Sequence, residues 1–281
     1  MRFKYILYTT FIFLCVFLIN SCSKSSGYGT TAPPAISYQL MSDSHFGSYI
    51  VDANGNTLYF FSLDANDSSA CTGSCLTSWP VSYTAAPTFG TGLSSSDFST
   101  ITRADGSKQT TYKGWPLYTF AGDTPGKING DGLENIWYVA KPDYTVMLVK
   151  FQLTGNDGLK YDSTYKAGTG QTFYMTDDRG VTLYSFSHDK VDTNNYTLSD
   201  FSNDSFWPIV QISTVQNVPS TLDKTAFSSI TVFGKPQMTY KGWPVYRFGP
   251  DSLIRGNNKG ISVPTPGIWP VMDQFSPEAP Q

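Results

Sequence analysis

The sequence predicts an all-β protein, and three observations support this prediction. The residues of turns are abundant, with 20 Asp, 24 Gly and 17 Pro, whereas Glu, a good helix former, occurs only twice. Aromatic residues that favour strands are plentiful, with 18 Tyr and 19 Phe. No long segment shows the 3.6-residue apolar period of an amphipathic helix.

One short pattern, Gly-x-x-Leu/Val-Tyr-x-Phe-x-x-Asp, occurs four times along the chain. The aspartate follows the glycine by nine residues in every copy, and a tryptophan follows each aspartate. A spacing held through four copies indicates one supersecondary unit used four times. The motif residues are Gly55, Tyr59, Phe61, Asp64 and Trp79; Gly114, Tyr118, Phe120, Asp123 and Trp137; Gly180, Tyr184, Phe186, Asp189 and Trp207; and Gly242, Tyr246, Phe248, Asp251 and Trp269.

The four units alternate in type. The second and fourth share Thr-Tyr-Lys-Gly-Trp-Pro around the motif glycine, with a period of 128 residues, and the first and third lack the Trp-Pro. This alternation indicates that a pair of units was duplicated. It predicts two tandem small antiparallel β domains, residues 36–143 and 144–275, with a frayed tail at 276–281. A four-bladed β-propeller is the alternative, because four four-stranded units also suit that architecture.

Each unit is predicted to contribute about four strands. Apolar and aromatic runs flank turns such as Asn54-Gly55 and Lys113-Gly114, which is the pattern of β-hairpins. The chain-order prediction is strands at 36–42, 48–53, 57–62, 81–85, 98–103, 109–112, 116–120, 135–140, 145–153, 172–176, 181–186, 227–233, 237–240, 245–248 and 269–272.

The first residues are predicted to direct secretion. Arg2 and Lys4 precede an apolar run that is too short to span a bilayer comfortably, so residues 1–21 are interpreted as a signal peptide. The run ends at Leu18-Ile19-Asn20-Ser21-Cys22, which resembles the lipobox of bacterial lipoproteins. The resemblance implies a lipid anchor on Cys22, and Ser23 after it favours the outer membrane. Residues 22–35 are small and polar and are predicted to be a flexible tether.

Charge and cysteine content restrict the partners and the chemistry. The chain has a mild net charge of −3 without a basic cluster, which argues against nucleic-acid binding. Cys71 and Cys75 are the two cysteines of the predicted folded part, and in an oxidising compartment such a pair favours a disulfide. A redox-active or soft-metal role for this pair is the alternative.

The four motif aspartates allow two interpretations. As loop anchors, their carboxylates would accept backbone N–H bonds where the chain leaves a strand. Alternatively, Asp123, Asn129 and Asp131 would supply oxygen ligands to Ca²⁺, although their spacing is not that of an EF-hand. Apart from this calcium hypothesis, the sequence indicates no cofactor.

Few residues suit catalysis. His45 and His188 are the two histidines, they do not have metal-ligand spacing, and no serine lies in a nucleophile-elbow context. We therefore expect a protein that is not an enzyme. Trp115 and Trp243 adjoin the Gly114 and Gly242 turns, which makes them candidates for exposed ligand contact.

The motifs together resemble the secreted-repeat lipoproteins, a family named for a Tyr-x-aromatic-x-x-Asp motif behind a lipobox. The quoted residues are the Tyr/Asp pairs beginning at Tyr59, Tyr118, Tyr184 and Tyr246, the Cys71-x-x-x-Cys75-x-x-x-Trp79-Pro80 element, and Gly114–Tyr118 followed by the glycine-rich loop 123–132. The second half departs from this pattern, since it has no cysteines and 251–260 follows the glycine pattern loosely. The resemblance implies the class of protein and its location, but it implies no activity, because the family has no established one.

The sequence thus predicts a lipid-anchored extracytoplasmic module that binds an envelope protein or a small ligand. The alternative is an envelope redox or metal-handling protein centred on the Cys71/Cys75 loop. The ligand, the membrane face and the oligomeric state do not follow from the sequence.

Overall fold

A computed structural model describes residues 35–281. The predicted signal peptide, Cys22 and all of the tether except its last residue lie outside the described residues. Ala35–Gln281 forms one compact unit.

The described chain is built mainly of short strands, thirteen in number. They are β1 Tyr38–Asp43, β2 Gly47–Asp52, β3 Tyr59–Phe61, β4 Phe98–Thr102, β5 Lys108–Tyr112, β6 Trp115–Pro116, β7 Trp137–Val139, β8 Val146–Thr154, β9 Lys160–Tyr161, β10 Gln171–Asp177, β11 Phe227–Val232, β12 Lys235–Tyr240 and β13 Trp243–Pro244.

Helix is scarce between residues 35 and 281. One four-residue α-helix, α1 Cys75–Ser78, lies in the cysteine loop, and no described helix has the length and apolarity to cross a membrane. Single 3₁₀ turns occur at Ser95–Asp97, Leu133–Asn135, Lys224–Ala226, Gly249–Asp251 and Lys259–Ser262.

The strands form five small antiparallel sheets, of order β1-β2, β3-β7, β4-β5-β6, β10-β8-β9 and β11-β12-β13. The all-β prediction with small antiparallel sheets is confirmed. In the described part of the chain these sheets have two or three strands each, which differs from the four four-stranded blades of the propeller alternative.

Several predicted strands are shorter than expected. The predicted strands 181–186 and 245–248 are reduced to isolated bridges, in which Tyr184 pairs with Tyr246 and with Val271. Only single residue pairs meet where these segments cross, so no ladder extends from them. The helix α1 was not predicted.

The two halves, residues 35–143 and 144–281, repeat one hydrogen-bond pattern. The peptide groups of Tyr59 and Tyr118 exchange both N–H···O bonds, at 2.8 and 3.1 Å, and those of Tyr184 and Tyr246 exchange the same two bonds at 2.9 Å each. The predicted duplication of a pair of units therefore appears in the backbone geometry.

The core has one part that belongs to the first half and another that both halves share. Tyr49, Tyr59, Tyr118 and Trp137 lie in a cluster formed entirely by first-half residues. The largest cluster contains residues from both halves, among them Tyr38 and Val271. Backbone contact also crosses the boundary, since Lys150 N–H donates to the Ser62 carbonyl at 2.9 Å.

The C-terminal residues are held in place, so the prediction of a frayed tail is wrong. Ala279 is buried, its N–H donates to the Lys241 carbonyl, and the Pro280 carbonyl accepts the Val191 N–H. The indole N–H of Trp243 donates to the Pro277 carbonyl at 2.8 Å. The tail covers the second Gly-Trp-Pro turn, which gives it apolar and hydrogen-bonding partners that the sequence did not reveal.

Independent folding of residues 36–143 remains a prediction. We expect the isolated segment to melt cooperatively, because it retains its own core cluster. We also expect a lower melting temperature than that of the whole chain, since its share of the common core would be uncovered. Calorimetry on both proteins tests this, and a fragment without a cooperative transition would show that the halves fold only together.

Candidate functional site

The motif tyrosines and aspartates of the first half bond to each other across units. The phenol of Tyr59 donates to Asp123 at 2.6 Å, and the phenol of Tyr118 donates to Asp64 at 2.7 Å. Each tyrosine thus bonds to the aspartate of the other unit rather than to its own. Tyr59 and Tyr118 pair in an isolated antiparallel bridge, and each phenol reaches the loop of the other unit.

The second half makes the same exchange. Tyr184 donates to Asp251 at 2.5 Å, and Tyr246 donates to Asp189 at 2.7 Å. All four tyrosines are fully buried, and so are Asp64, Asp189 and Asp251, whereas Asp123 is half-buried. Hydrogen bonds to a carboxylate are stronger than neutral ones, and low dielectric strengthens them further.

The second oxygen of each motif carboxylate accepts a backbone N–H from the loop that follows. The donors are Ala70 for Asp64 at 2.6 Å, Asn129 for Asp123 at 2.8 Å, Asn195 for Asp189 at 2.7 Å and Lys259 for Asp251 at 2.9 Å. Both oxygens of every motif aspartate are therefore engaged. This geometry is the loop-anchor arrangement that the sequence suggested.

Stacked tryptophans lie beside the crossing in each half. The Trp79 and Trp137 rings have centroids 3.7 Å apart and planes 4° from parallel, and Trp207 and Trp269 stack at 3.7 Å and 8°. Motif phenylalanines extend each stack at both ends: Phe61 and Phe120 in the first half, Phe186 and Phe248 in the second. The repeated aromatic residues therefore form the core of each half.

Two glycines let the loops approach these rings. A Cβ on Gly130 would lie 2.8 Å from Trp79 and 2.9 Å from Tyr59, and a Cβ on Gly260 would lie 2.6 Å from Trp207 and 2.9 Å from Tyr184. Their N–H groups donate to the phenol oxygens of the same tyrosines. The loop 251–260 thus performs the packing of 123–132 although its sequence matches the glycine pattern only loosely.

Burial changes the acidity of the motif carboxyls. Removal from water raises the pKa of Asp64 to about 7 and that of Asp189 to about 6, although their hydrogen bonds oppose the rise. Burial also raises the pKa of Asp251. The pKa of the Asp64 carboxyl is lowered in part by the nearby cations Arg255 and Arg103, but burial dominates.

A pH titration should detect Asp64. Its folded pKa of about 7 lies above the ordinary value of 3.8, so its contribution to stability is full below about pH 4 and is lost as the pH rises through about 7. We expect Asp64→Asn to flatten this fall in the free energy of unfolding, because an amide does not titrate in this range. The amide can still bond to Ala70 and Tyr118, so the loop stays anchored. Denaturant unfolding of both proteins between pH 4 and 8 measures this pH dependence.

The exposed Asp162 provides a matched control for that titration. Hydrogen bonds from Thr164 lower its pKa, so Asp162→Asn should leave the fall between pH 4 and 7 unchanged. An Asp64→Asn protein with the same pH profile as the parent chain would contradict the assignment.

The calcium candidates already bond within the protein. Asp123 is engaged as described, the Asn129 side chain donates to the Gly122 carbonyl at 3.3 Å, and Asp131 accepts the Val139 N–H at 2.8 Å. Across residues 35–281, no three or more His, Cys, Asp or Glu side chains are grouped so as to hold a metal ion. The local arrangement therefore matches loop anchoring at these residues.

Cys71 and Cys75 form a disulfide, as predicted, with Cα atoms 5.4 Å apart. Arg103, which the sequence analysis missed, supports this loop from inside. Its guanidinium donates to the Cys71 carbonyl at 2.5 Å, to Gln109 at 2.7 Å and to Ser69. The Arg103 side chain is 2% exposed, so the loop covers a buried cation.

Tyr196 occupies the corresponding place in the second half. It follows the residue whose N–H bonds to Asp189, as Cys71 follows the residue bonded to Asp64. Its ring contacts Trp269 and Phe186 edge-on, at centroid distances of 4.8 and 5.5 Å. An aromatic ring thus replaces the disulfide as the packing element of the loop.

Arg255 joins the two halves, and the sequence analysis missed it as well. It donates to the Asp64 carbonyl at 2.8 Å and to the Arg179 carbonyl at 2.9 Å. Its guanidinium carbon lies 4.2 Å from the centroid of the Trp115 ring. Burial lowers the pKa of Arg255 to about 10, which leaves it a cation at neutral pH.

The expectation that Trp115 contacts a ligand from the surface is wrong. Trp115 is 1% exposed, because Arg255 covers its face and its indole N–H donates to the Asp178 carbonyl at 2.9 Å. Trp243 is half-buried and lines a surface groove of about 260 Å³ beside the exposed Phe275. The packing of the halves buries one tryptophan, whereas the C-terminal tail only partly covers the other.

Two larger grooves open on the first half. One, of about 540 Å³, is lined by Cys75, Trp79, Glu134, Ile136 and Trp137, among others. The other, of about 380 Å³, lies at the Asp52 turn and is mostly polar. These grooves are candidate binding surfaces, since the motif carboxylates and phenols are already bonded to each other.

The fold and the exchanged motif define an all-β repeat protein in which the units interlock in pairs. Residues 42–82 and 99–141, both in the first half, match a family model described as a secreted repeat of unknown function. The description of that family as secreted supports an extracytoplasmic location. Searches of curated proteins and of solved structures gave no match.

Proposed function

We propose that this chain is a lipid-anchored interaction module of the cell envelope that binds a partner and does not transform a substrate. The observation that carries the proposal is the use of the motif's ionisable groups. All four carboxylates are bonded to the four buried phenols, and the larger grooves do not contain these groups. The repeated motif therefore serves as a scaffold, and variable surface residues contact the partner.

The histidines also favour a role without acid–base catalysis. His45 packs edge-on against Phe46 at a centroid distance of 4.8 Å, and His188 packs against Phe186 at 4.9 Å. Both are exposed, outside the water-excluded clefts in which acid–base catalysis usually takes place. We propose no cofactor, and the engaged oxygens of Asp123 and Asp131 support this for calcium.

The anchor is proposed from Leu18–Cys22, which lies outside the described residues. We expect Cys22→Ala to move the protein from the membrane pellet to the soluble fraction, because the lipidated thiol would be lost. Cys15→Ala is the control, since Cys15 would leave with the signal peptide. Retention of Cys22→Ala in the pellet would show that the chain is held in another way. Separation of inner from outer membranes tests the proposed outer-membrane location.

An envelope redox or metal-handling role remains the second candidate, and one observation favours it. Cys75 is half-buried and lines the groove beside Trp79 and Trp137, so this end of the disulfide lies at a surface groove. Cys71 is buried and its carbonyl is held by Arg103, which suits a structural bridge. Alkylation of protein taken directly from envelopes separates the roles: a structural bridge leaves both cysteines unmodified, whereas free thiols at both positions would favour the redox role.

A further inference from the structure

We propose that the groove at the Asp52 turn binds a guanidinium group, namely an arginine side chain of a partner protein. This inference rests on the proposed interaction function and assigns that function a site and a ligand class. The argument comes from a comparison of the two halves, because the second half fills the equivalent position with an arginine of its own.

The turns at Asp52 and Asp177 are structural equivalents. One carboxylate oxygen of Asp52 accepts the N–H groups of Asn54 and Asn56, and one oxygen of Asp177 accepts those of Arg179 and Val181. In both turns the N–H of the motif glycine, Gly55 or Gly180, donates to the carbonyl of the aspartate at 3.0 Å.

Thr119 and Arg247 are equivalents in the same way. Each follows a motif tyrosine, and each donates its N–H at 2.9 Å to the carbonyl of the proline after a stacked tryptophan, Pro80 or Pro208. The two halves therefore place a threonine and an arginine at one backbone position.

In the second half this arginine bonds to the turn. The Arg247 guanidinium donates to the remaining oxygen of Asp177 at 2.9 Å, with side-chain exposures of 26% for the arginine and 11% for the aspartate. This is a partly buried, charge-assisted contact, which is stronger than a fully exposed ion pair.

In the first half Thr119 is too short to make this contact, and a groove of about 380 Å³ lies there instead. Asp52 is on its wall, and its second oxygen accepts a bond from the Asn56 side chain at 2.9 Å. Asp52 is the one acid in the lining of this groove, and the lining holds no base.

This lining selects for a cation with several donors. Asp52 supplies the negative charge, and the side-chain oxygens of Asn54 and Thr84 are further acceptors at the groove. Tyr83 is 45% exposed and lines the same groove, so an aromatic ring is within the groove for a guanidinium to contact. The planar fork of arginine matches a carboxylate and an aromatic face better than the compact ammonium of lysine does.

The test uses the full chain in detergent micelles and N-acetyl-L-arginine amide as the probe. Backbone amide NMR signals are followed during titration, with N-acetyl-L-citrulline amide as the neutral control of nearly the same shape. We expect saturable shifts at Ala53, Asn54 and Asn56 with the arginine probe, and about tenfold weaker binding of citrulline because a charge-assisted bond is lost. Equal binding of both probes would overturn the proposal.

Two substitutions exchange the halves. Thr119→Arg should abolish the shifts in the first half, since the new side chain fills the groove as Arg247 does in the second. Arg247→Thr should leave an empty groove at the Asp177 turn of the second half and add a new set of shifts at Asp178, Arg179 and Val181. Asp52→Asn keeps an acceptor for the turn but removes the charge, so it should weaken binding of the arginine probe about tenfold. This variant is the second test if Arg247→Thr does not fold.

Wild-type binding by a folded Thr119→Arg protein would contradict the assignment. This result is distinguishable from failure of the proposed function. Loss of the groove leaves the anchoring of the chain at Cys22 intact, whereas a chain that is not anchored can still bind the probe.

Discussion

The bonds that motif tyrosines donate to the aspartates of neighbouring units organise each half of this protein. A tyrosine that bonded to the aspartate of its own unit would stabilise that unit alone. Here Tyr118 bonds to Asp64 and Tyr59 bonds to Asp123, so neither unit completes its polar contacts without the other. The same dependence holds for units three and four. The smallest complete structural element is therefore a pair of units.

This exchange also explains the aromatic composition. The crossing of two segments at a single residue pair gives few ladder bonds, so the stability of each half depends on packing around the crossing. Stacked tryptophans, flanked by motif phenylalanines, supply that packing in both halves. The glycine loops then close over the tyrosines at distances that a side chain would not allow.

The number of units and their alternation between two types could be predicted from the sequence, because all four copies of the motif keep the same spacing from glycine to aspartate. It could not reveal which tyrosine bonds to which aspartate, since all four copies present the same residues. Arg255 was missed because it lies in a loop outside the motif, and its contacts with Asp64 and Trp115 depend on how the halves pack. That packing also buries Trp115, which adjacency to a turn had suggested was exposed.

The difference between Thr119 and Arg247 was visible in the sequence without an indication of its meaning. Both residues follow a motif tyrosine, but only the structure shows that this position faces the Asp52 or Asp177 turn. Under the proposed function, surface binding would depend on positions where the copies differ, whereas the shared residues maintain the fold.

A double-mutant cycle on Tyr118 and Asp64 tests the exchange most directly. Tyr118→Phe and Asp64→Ala, each of which removes the bond, are measured singly and together by denaturant unfolding. Tyr118→Phe combined with Asp123→Ala is the within-unit comparison. Exchanged bonding predicts a coupling of about 1–3 kcal/mol between Tyr118 and Asp64 and a clearly smaller value between Tyr118 and Asp123. Additive effects for Tyr118 and Asp64, or stronger coupling within the unit, would contradict it.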